Sequence, residues 1–128
     1  MHIPDSMLQG TVCPVTSVAG AVGVGAAAYF ASKAPERPAA GRFAAVTALI
    51  FALQMMNFPI SAGTSGHLVG GVLAAALLGT PFGVLSMTLV VAVQCLLFSD
   101  GGLTVLGANV LNMAVIGAGV GGLLRSVL

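Results

Sequence analysis

The 128-residue chain is 58% hydrophobic and carries four Lys and Arg against three Asp and Glu, for a net charge of +1 and a mean hydropathy of +1.10. Soluble domains carry about a quarter of their residues as charges, so this composition excludes one and fits a protein embedded in lipid. With no basic stripe and no aromatic interleaving, it also excludes nucleic acid as a partner.

The chain opens Met1-His2-Ile3-Pro4-Asp5. No basic region precedes the first apolar stretch, so no cleavable signal peptide is expected, and the bulk of His2 should hinder removal of Met1. A retained start has its own chemistry. The Met1 amine, the His2 amide nitrogen and His2 Nδ1 can close adjacent chelate rings around a metal that displaces the amide proton.

Five hydrophobic stretches follow: Val12 to Ser32, Phe43 to Met56, Leu68 to Leu78, Phe82 to Phe98 and Leu103 to Leu124. Each reads as helix, because backbone cannot be left unpaired in lipid. The expected fold is an all-α, polytopic membrane bundle of about five transmembrane segments, one membrane-embedded domain over residues 1–128. The first, fourth and fifth stretches approach the roughly 20 residues of a full crossing, whereas the Leu68 stretch is too short unless extended or buried by neighbours.

Charge sets an expected orientation. Lys33, Arg37 and Arg42 follow the first stretch and Arg125 follows the fifth. With five crossings all four fall on one side, which the positive-inside rule makes cytoplasmic. The amino terminus, the Asn57–Gly66 loop with the following His67, and the Ser99-Asp100-Gly101-Gly102 loop then share the outer face. His2 and His67 are the only two histidines. Either alone reads as an incidental loop residue; brought to one face, they read as ligands. Four nitrogens in a plane, three from Met1 and His2 and one from His67, suit Ni(II) or Cu(II) better than Zn(II).

Other polar residues admit two readings. Asp100 can orient an imidazole or attract a cation, or merely cap a helix. Asn109 and Asn112, three apart on one helical face and near Asn57 and Gln94 in depth, can lie under a binding loop or serve packing alone. Small residues at four-residue spacing (Ser17, Ala21, Gly25; Gly71, Ala75, Gly79; Gly117, Gly121) predict close helix packing. Cys13 and Cys95 form no disulfide framework and read as inert buried thiols; Met55 and Met56 read as core filler. Neither paired carboxylates, nor a nucleophile with a histidine at a recognisable local signature, nor a phosphate-cradling loop is present, so the chain is not expected to be an enzyme.

Three stretches together resemble the CbiM/NikM family, the substrate-capture components of cobalt and nickel energy-coupling-factor transporters. They are Met1-His2-Ile3-Pro4-Asp5, Gly63-Thr64-Ser65-Gly66-His67-Leu68, and Phe98-Ser99-Asp100-Gly101-Gly102-Leu103 continuing through Gly107-Ala108-Asn109 to Asn112-Met113. The resemblance implies that the Met1 amine, the His2 amide and imidazole nitrogens and His67 bind the ion, with Asn57, Ser65, Ser99, Asp100 and Asn109 supporting them. It also implies partners: a membrane coupling subunit, ATPase subunits and, in some systems, a small accessory membrane protein. No organic cofactor is expected. The family usually has glycine at Ser6 and often at Ser99, and its members normally continue through further helices, so the resemblance implies a truncated chain or one completed by a second polypeptide. The expected function is capture of Ni(II) or Co(II) outside the cytoplasmic membrane for an ATP-driven importer. The rival readings are a structural membrane subunit and a metal sensor that binds without importing.

Overall fold

The computed structural model describes residues 2–61 and 64–127, with the backbone alone at 64 and 65. Helices satisfy their own backbone, and the apolar stretches take that form: α1 is Val12–Lys33, α2 Ala40–Met55, α3 Gly71–Leu78 and α4 Thr80–Phe98. The last helix, α5, runs over Leu106–Val127. Its middle, Val110–Ile116, winds as a π-helix.

Helices α1, α4 and α5 are long and apolar enough to cross a membrane, with α2 shorter at 16 residues. Outward valines such as Val15, Val18 and Val22 are more than 60% exposed, as expected of a surface solvated by lipid chains. The third stretch departs from a simple crossing. Its last eight residues are helical, in α3, preceded by irregular chain at 67–70. Irregular backbone away from water must find partners within the protein, and here the buried Gln54 amide donates to the Val69 carbonyl.

Helix α4 is the centre of the bundle and touches all the others. Its buried face runs from Gly83 through Met87, Val90 and Val91 to Gln94 and Cys95. Against it lie Ile50 of α2, Ala74 and Ala75 of α3, and Met113, Ala114 and Ala118 of α5. Ser86, fully buried, shares a 2.8 Å hydrogen bond with Thr47 of α2.

Small residues let these backbones meet. A Cβ on Gly71 would lie 2.7 Å from the Gly117 carbonyl carbon, and one on Gly121 would lie 2.8 Å from the Val72 Cα. Thus two of the expected stripes face each other across α3 and α5. The α1 stripe differs from expectation. Its contact face runs through Ser17, Gly20, Gly23 and Ala27, whereas Ala21 and Gly25 are exposed. Drift of a 3.6-residue helix explains this: contacts alternate between spacings of three and four.

One further feature lies outside the all-helical expectation. Phe58–Ser61 and Thr64–Gly66 pair as a short antiparallel hairpin, Phe58 opposite Gly66. Its strands pair with each other and Phe58–Ser61 is exposed along its length, and the hairpin leads directly into His67.

Candidate metal centre

The amino-terminal segment has no helix to satisfy its backbone, so it borrows partners from α5. Asn109 is 2% exposed. Its Oδ1 accepts from the Ile3 amide at 2.7 Å and its Nδ2 donates to the Ile3 carbonyl at 3.1 Å. One primary amide thereby pairs with both polar groups of a residue, as a neighbouring strand would. Thr104 donates its hydroxyl proton to the Asp5 carboxylate, and a turn closes where the Met7 amide donates to the Pro4 carbonyl at 3.0 Å.

This docking buries His2, whose side chain is 1% exposed. The ring sits on the loop after α4, where a Cβ on Gly101 would lie 3.3 Å from the His2 Cβ and 2.8 Å from the Asn109 amide nitrogen. Gly101 also has a φ of +102°, which glycine alone adopts readily. Both facts require glycine there. The loop turns at Ser99, whose φ of +54° makes it the single non-glycine residue in the left-handed region among the described residues. The Asp100 amide, following it, returns to the Gln94 carbonyl at 3.1 Å.

The hairpin brings His67 against His2, with ring centroids 6.0 Å apart and planes inclined by 31°. His67 Nδ1 lies 2.8 Å from the Leu68 carbonyl oxygen. A carbonyl can only accept, so Nδ1 carries the proton and Nε2 is left with a free lone pair. That Nε2 is buried and has no hydrogen-bond partner among the described residues. Both ring nitrogens of His2 are likewise buried and without one. His2 Nδ1 does lie 3.0 Å from Asp100 Oδ2, a contact that becomes an ion pair only when the ring is protonated. Burial holds the His2 imidazole below its ordinary pKa, against the opposing pull of the Asp100 carboxylate and the nearby Gln94 amide. The ring is therefore kept neutral, the form in which imidazole binds metals.

The expected site residues thus divide. His2, His67, Asp100 and Asn109 come together, Asn109 by holding the terminus. Ser99 contributes its backbone turn. Asn57 is exposed and its side chain makes no hydrogen bond among the described residues; the chain leads directly from it into the hairpin. Asn112 is exposed while Asn109 is buried, because the wider π-turns rotate a three-residue step off a common face. Met1 and the Ser65 side chain lie outside what is described. Sequence reasoning assigned Gln94 only a depth; it is fully buried with an unpartnered Oε1, and a glutamine inside an apolar helix was the available signal. Such reasoning also missed the Thr104–Asp5 contact, which has no local signature.

Imidazole nitrogens suit first-row ions from iron to zinc. Among the described residues no three His, Cys, Asp or Glu side chains converge into a metal-holding group. Two imidazoles are the side-chain nitrogens present, so further donors would have to be backbone or terminal groups.

Residues 2–128 match the sequence profile of the CbiM family, described as the cobalt uptake substrate-specific transmembrane region. A protein of Archaeoglobus fulgidus, provisionally named a fused nickel transport protein, NikMN, is 44% identical over 121 residues, 94% of this chain and 40% of that one. The fused nickel transport protein NikMN of Rhodobacter capsulatus is 37% identical over 121 residues, 91% of this chain and 34% of its own length. The chain therefore spans less than half the length of these relatives. A crystal structure of a transition metal transporter superposes with a TM-score of 0.85 at 37% identity, covering 99% of this chain and 58% of that one. The profile, the relatives and the shared helical backbone agree: this multi-pass membrane protein belongs to the CbiM family of cobalt-uptake transmembrane proteins.

Proposed function

We propose that the chain captures Ni(II) or Co(II) with high affinity at the extracytoplasmic face of the cytoplasmic membrane. It acts as the substrate-specific component of an ATP-driven energy-coupling-factor importer. One observation carries the reading: three imidazole nitrogens of His2 and His67 are buried without hydrogen-bond partners among the described residues, on rings 6.0 Å apart. Leaving a buried polar atom unpaired costs about 1–3 kcal/mol, and a cation shared between the rings would remove that cost.

In this reading His67 donates Nε2, its tautomer fixed by Leu68, and His2 donates Nδ1 and its amide nitrogen. The Met1 amine completes four nitrogens. Asp100 offsets the charge of the ion, and Gln94 Oε1 is an acceptor available to His2 Nε2–H once Nδ1 is engaged. Asn109 and Thr104 act earlier, by docking the terminus. A coupling membrane subunit and ATPase subunits, with a small accessory membrane protein in some systems, would bias an outward state of high affinity against an inward state of low affinity.

Metal titration of the purified chain tests this. One nickel or cobalt ion per chain is expected, with His67→Ala weakening binding by more than about 100-fold, beyond what loss of an outer hydrogen bond costs. One residue added before Met1 should weaken binding comparably. Protein that binds neither ion ends the proposal, and binding with no import of the ion even when the ATPase partners are present would favour a metal sensor.

A further inference from the structure

At the opposite end of α4 from Asp100 the structure has a second polar feature. A cavity of about 300 Å³ opens between the α1–α2 connection, the Gly79 turn and the last turns of α5. Arg37, Arg42 and Arg125 all line it, with Glu36 as the single acidic residue at its rim. That is three of the four basic residues of the whole chain.

Two of the guanidinium groups are anchored. Arg42 Nη2 donates to the Leu77 carbonyl at 2.6 Å and Arg37 Nη2 donates to the Ser32 carbonyl at 2.7 Å. Each keeps further N–H donors free, since a guanidinium has five. Arg125 reaches over Gly79, where a Cβ would lie 3.7 Å from its Nη1. Glu36 does not neutralise them: among the described residues no carboxylate lies within 4.0 Å of an arginine. The first turn of α4, begun by Thr80 and Pro81 without a side-chain cap, faces the same space and offers unbonded backbone amides there, while Arg37 and Arg42 offset the carbonyl ends of α1 and α3.

We propose that this cavity binds the phosphate of an anionic membrane lipid, in the leaflet on the side of the bundle away from the histidines. Phosphate is the chemistry that forked guanidinium donors and an uncapped helix start recognise together. The lipid is the source because the cavity opens at the ends of α1, α3, α4 and α5, beside outward side chains such as Phe30 and Leu124 that are more than half exposed and meet acyl chains. A headgroup seated there ties the α1–α2 connection to the last turns of α5, both of which line the cavity.

Native mass spectrometry and thermal unfolding of the chain, in nanodiscs of phosphatidylcholine with or without phosphatidylglycerol, test the proposal. Phosphatidylglycerol should be retained through delipidation and should raise the unfolding temperature where phosphatidylcholine does not. Arg42→Gln and Arg125→Gln should each weaken retention by about five-fold, and Glu36→Gln should strengthen it. The opposite sign of Glu36→Gln keeps the test open if an arginine variant folds poorly. Retention unchanged in all three variants overturns the proposal. So does stabilisation by inorganic phosphate alone with nothing added by the lipid, which would make the ligand a free anion. Loss of binding to an acidic protein partner, with lipid retention intact, would assign the arginines to that partner and equally overturn it.

Discussion

Asn109 and Ile3 are joined by two hydrogen bonds, of 2.7 and 3.1 Å, across 106 residues of chain. A primary amide inside the bundle thereby fixes the residue next to His2, and with it the orientation of a ring whose nitrogens are otherwise unclaimed.

Asn109→Ala should leave the Ile3 amide and carbonyl without their partner, at a cost of about 1–3 kcal/mol. Because the terminus can peel away while the bundle stays folded, most of that loss should fall on metal affinity, about 10- to 100-fold. Asn109→Asp should behave nearly as badly, since a carboxylate accepts from the Ile3 amide but cannot donate to its carbonyl. Calorimetric titration beside thermal unfolding separates the two effects; a fall in stability with affinity untouched would contradict this role.

Acid should loosen the docked terminus. Burial places His2 below its ordinary pKa of 6.5, so the undocked state takes up a proton first as pH falls. Docking is complete above 6.5 and erodes below it. Asp100→Asn removes the carboxylate that favours the charged ring, and should move the His2 contribution to a lower pH while weakening metal binding near neutral pH. Ring proton shifts in NMR spectra follow the titration directly. Movement of that titration to higher pH in the Asp100→Asn variant would show that the carboxylate acts otherwise.

Ser99 occupies a left-handed conformation with φ +54°, which costs a residue with a Cβ about 1–2 kcal/mol. Ser99→Gly should therefore stabilise the protein by about 1 kcal/mol, with the turn after α4 unchanged. Gly101→Ala should do the reverse, because its φ is +102° and its Cβ would press on Asn109 and His2. Unfolding midpoints of the two variants should bracket that of the parent; a Ser99→Gly variant less stable than the parent would refute the strain argument.

The crossing of α1 and α5 should be equally sensitive. A Cβ on Gly20 would lie 2.8 Å from the Gly107 carbonyl oxygen, so Gly20→Val should force the helices apart at a cost of about 1–3 kcal/mol. Gly25, with nothing within 4 Å of a Cβ, should accept the same substitution freely. Equal effects at both positions would show that the crossing is not the determinant.

Much of the fold was legible because lipid imposes helix on apolar stretches whatever their neighbours. The long α1 and α4 have nearly the expected limits for that reason, whereas Leu68–Gly70 escaped, since its backbone is satisfied by Gln54 on another helix. The hairpin leaves little trace in residue order because only Phe58 and Ile60 alternate across Phe58–Gly66, too short a run to mark a strand. Asn112 was misplaced because a π-helix keeps no signature in residue order. At the site, histidines stood out against so apolar a background, but the group that docks His2 is the backbone of Ile3, which every residue possesses and no sequence marks.

Residue order alone determined membrane residence, helical architecture and the gathering of both histidines at the end away from the arginines. Each follows from sums along the chain: apolar content, segment length and charge spacing. Only the tertiary structure decided which nitrogens are buried and unclaimed, that Asn109 and not Asn57 or Asn112 serves the terminus, and that three arginines share one cavity. Those are matters of distance between segments far apart in sequence, and such distances are set by how helices pack around α4.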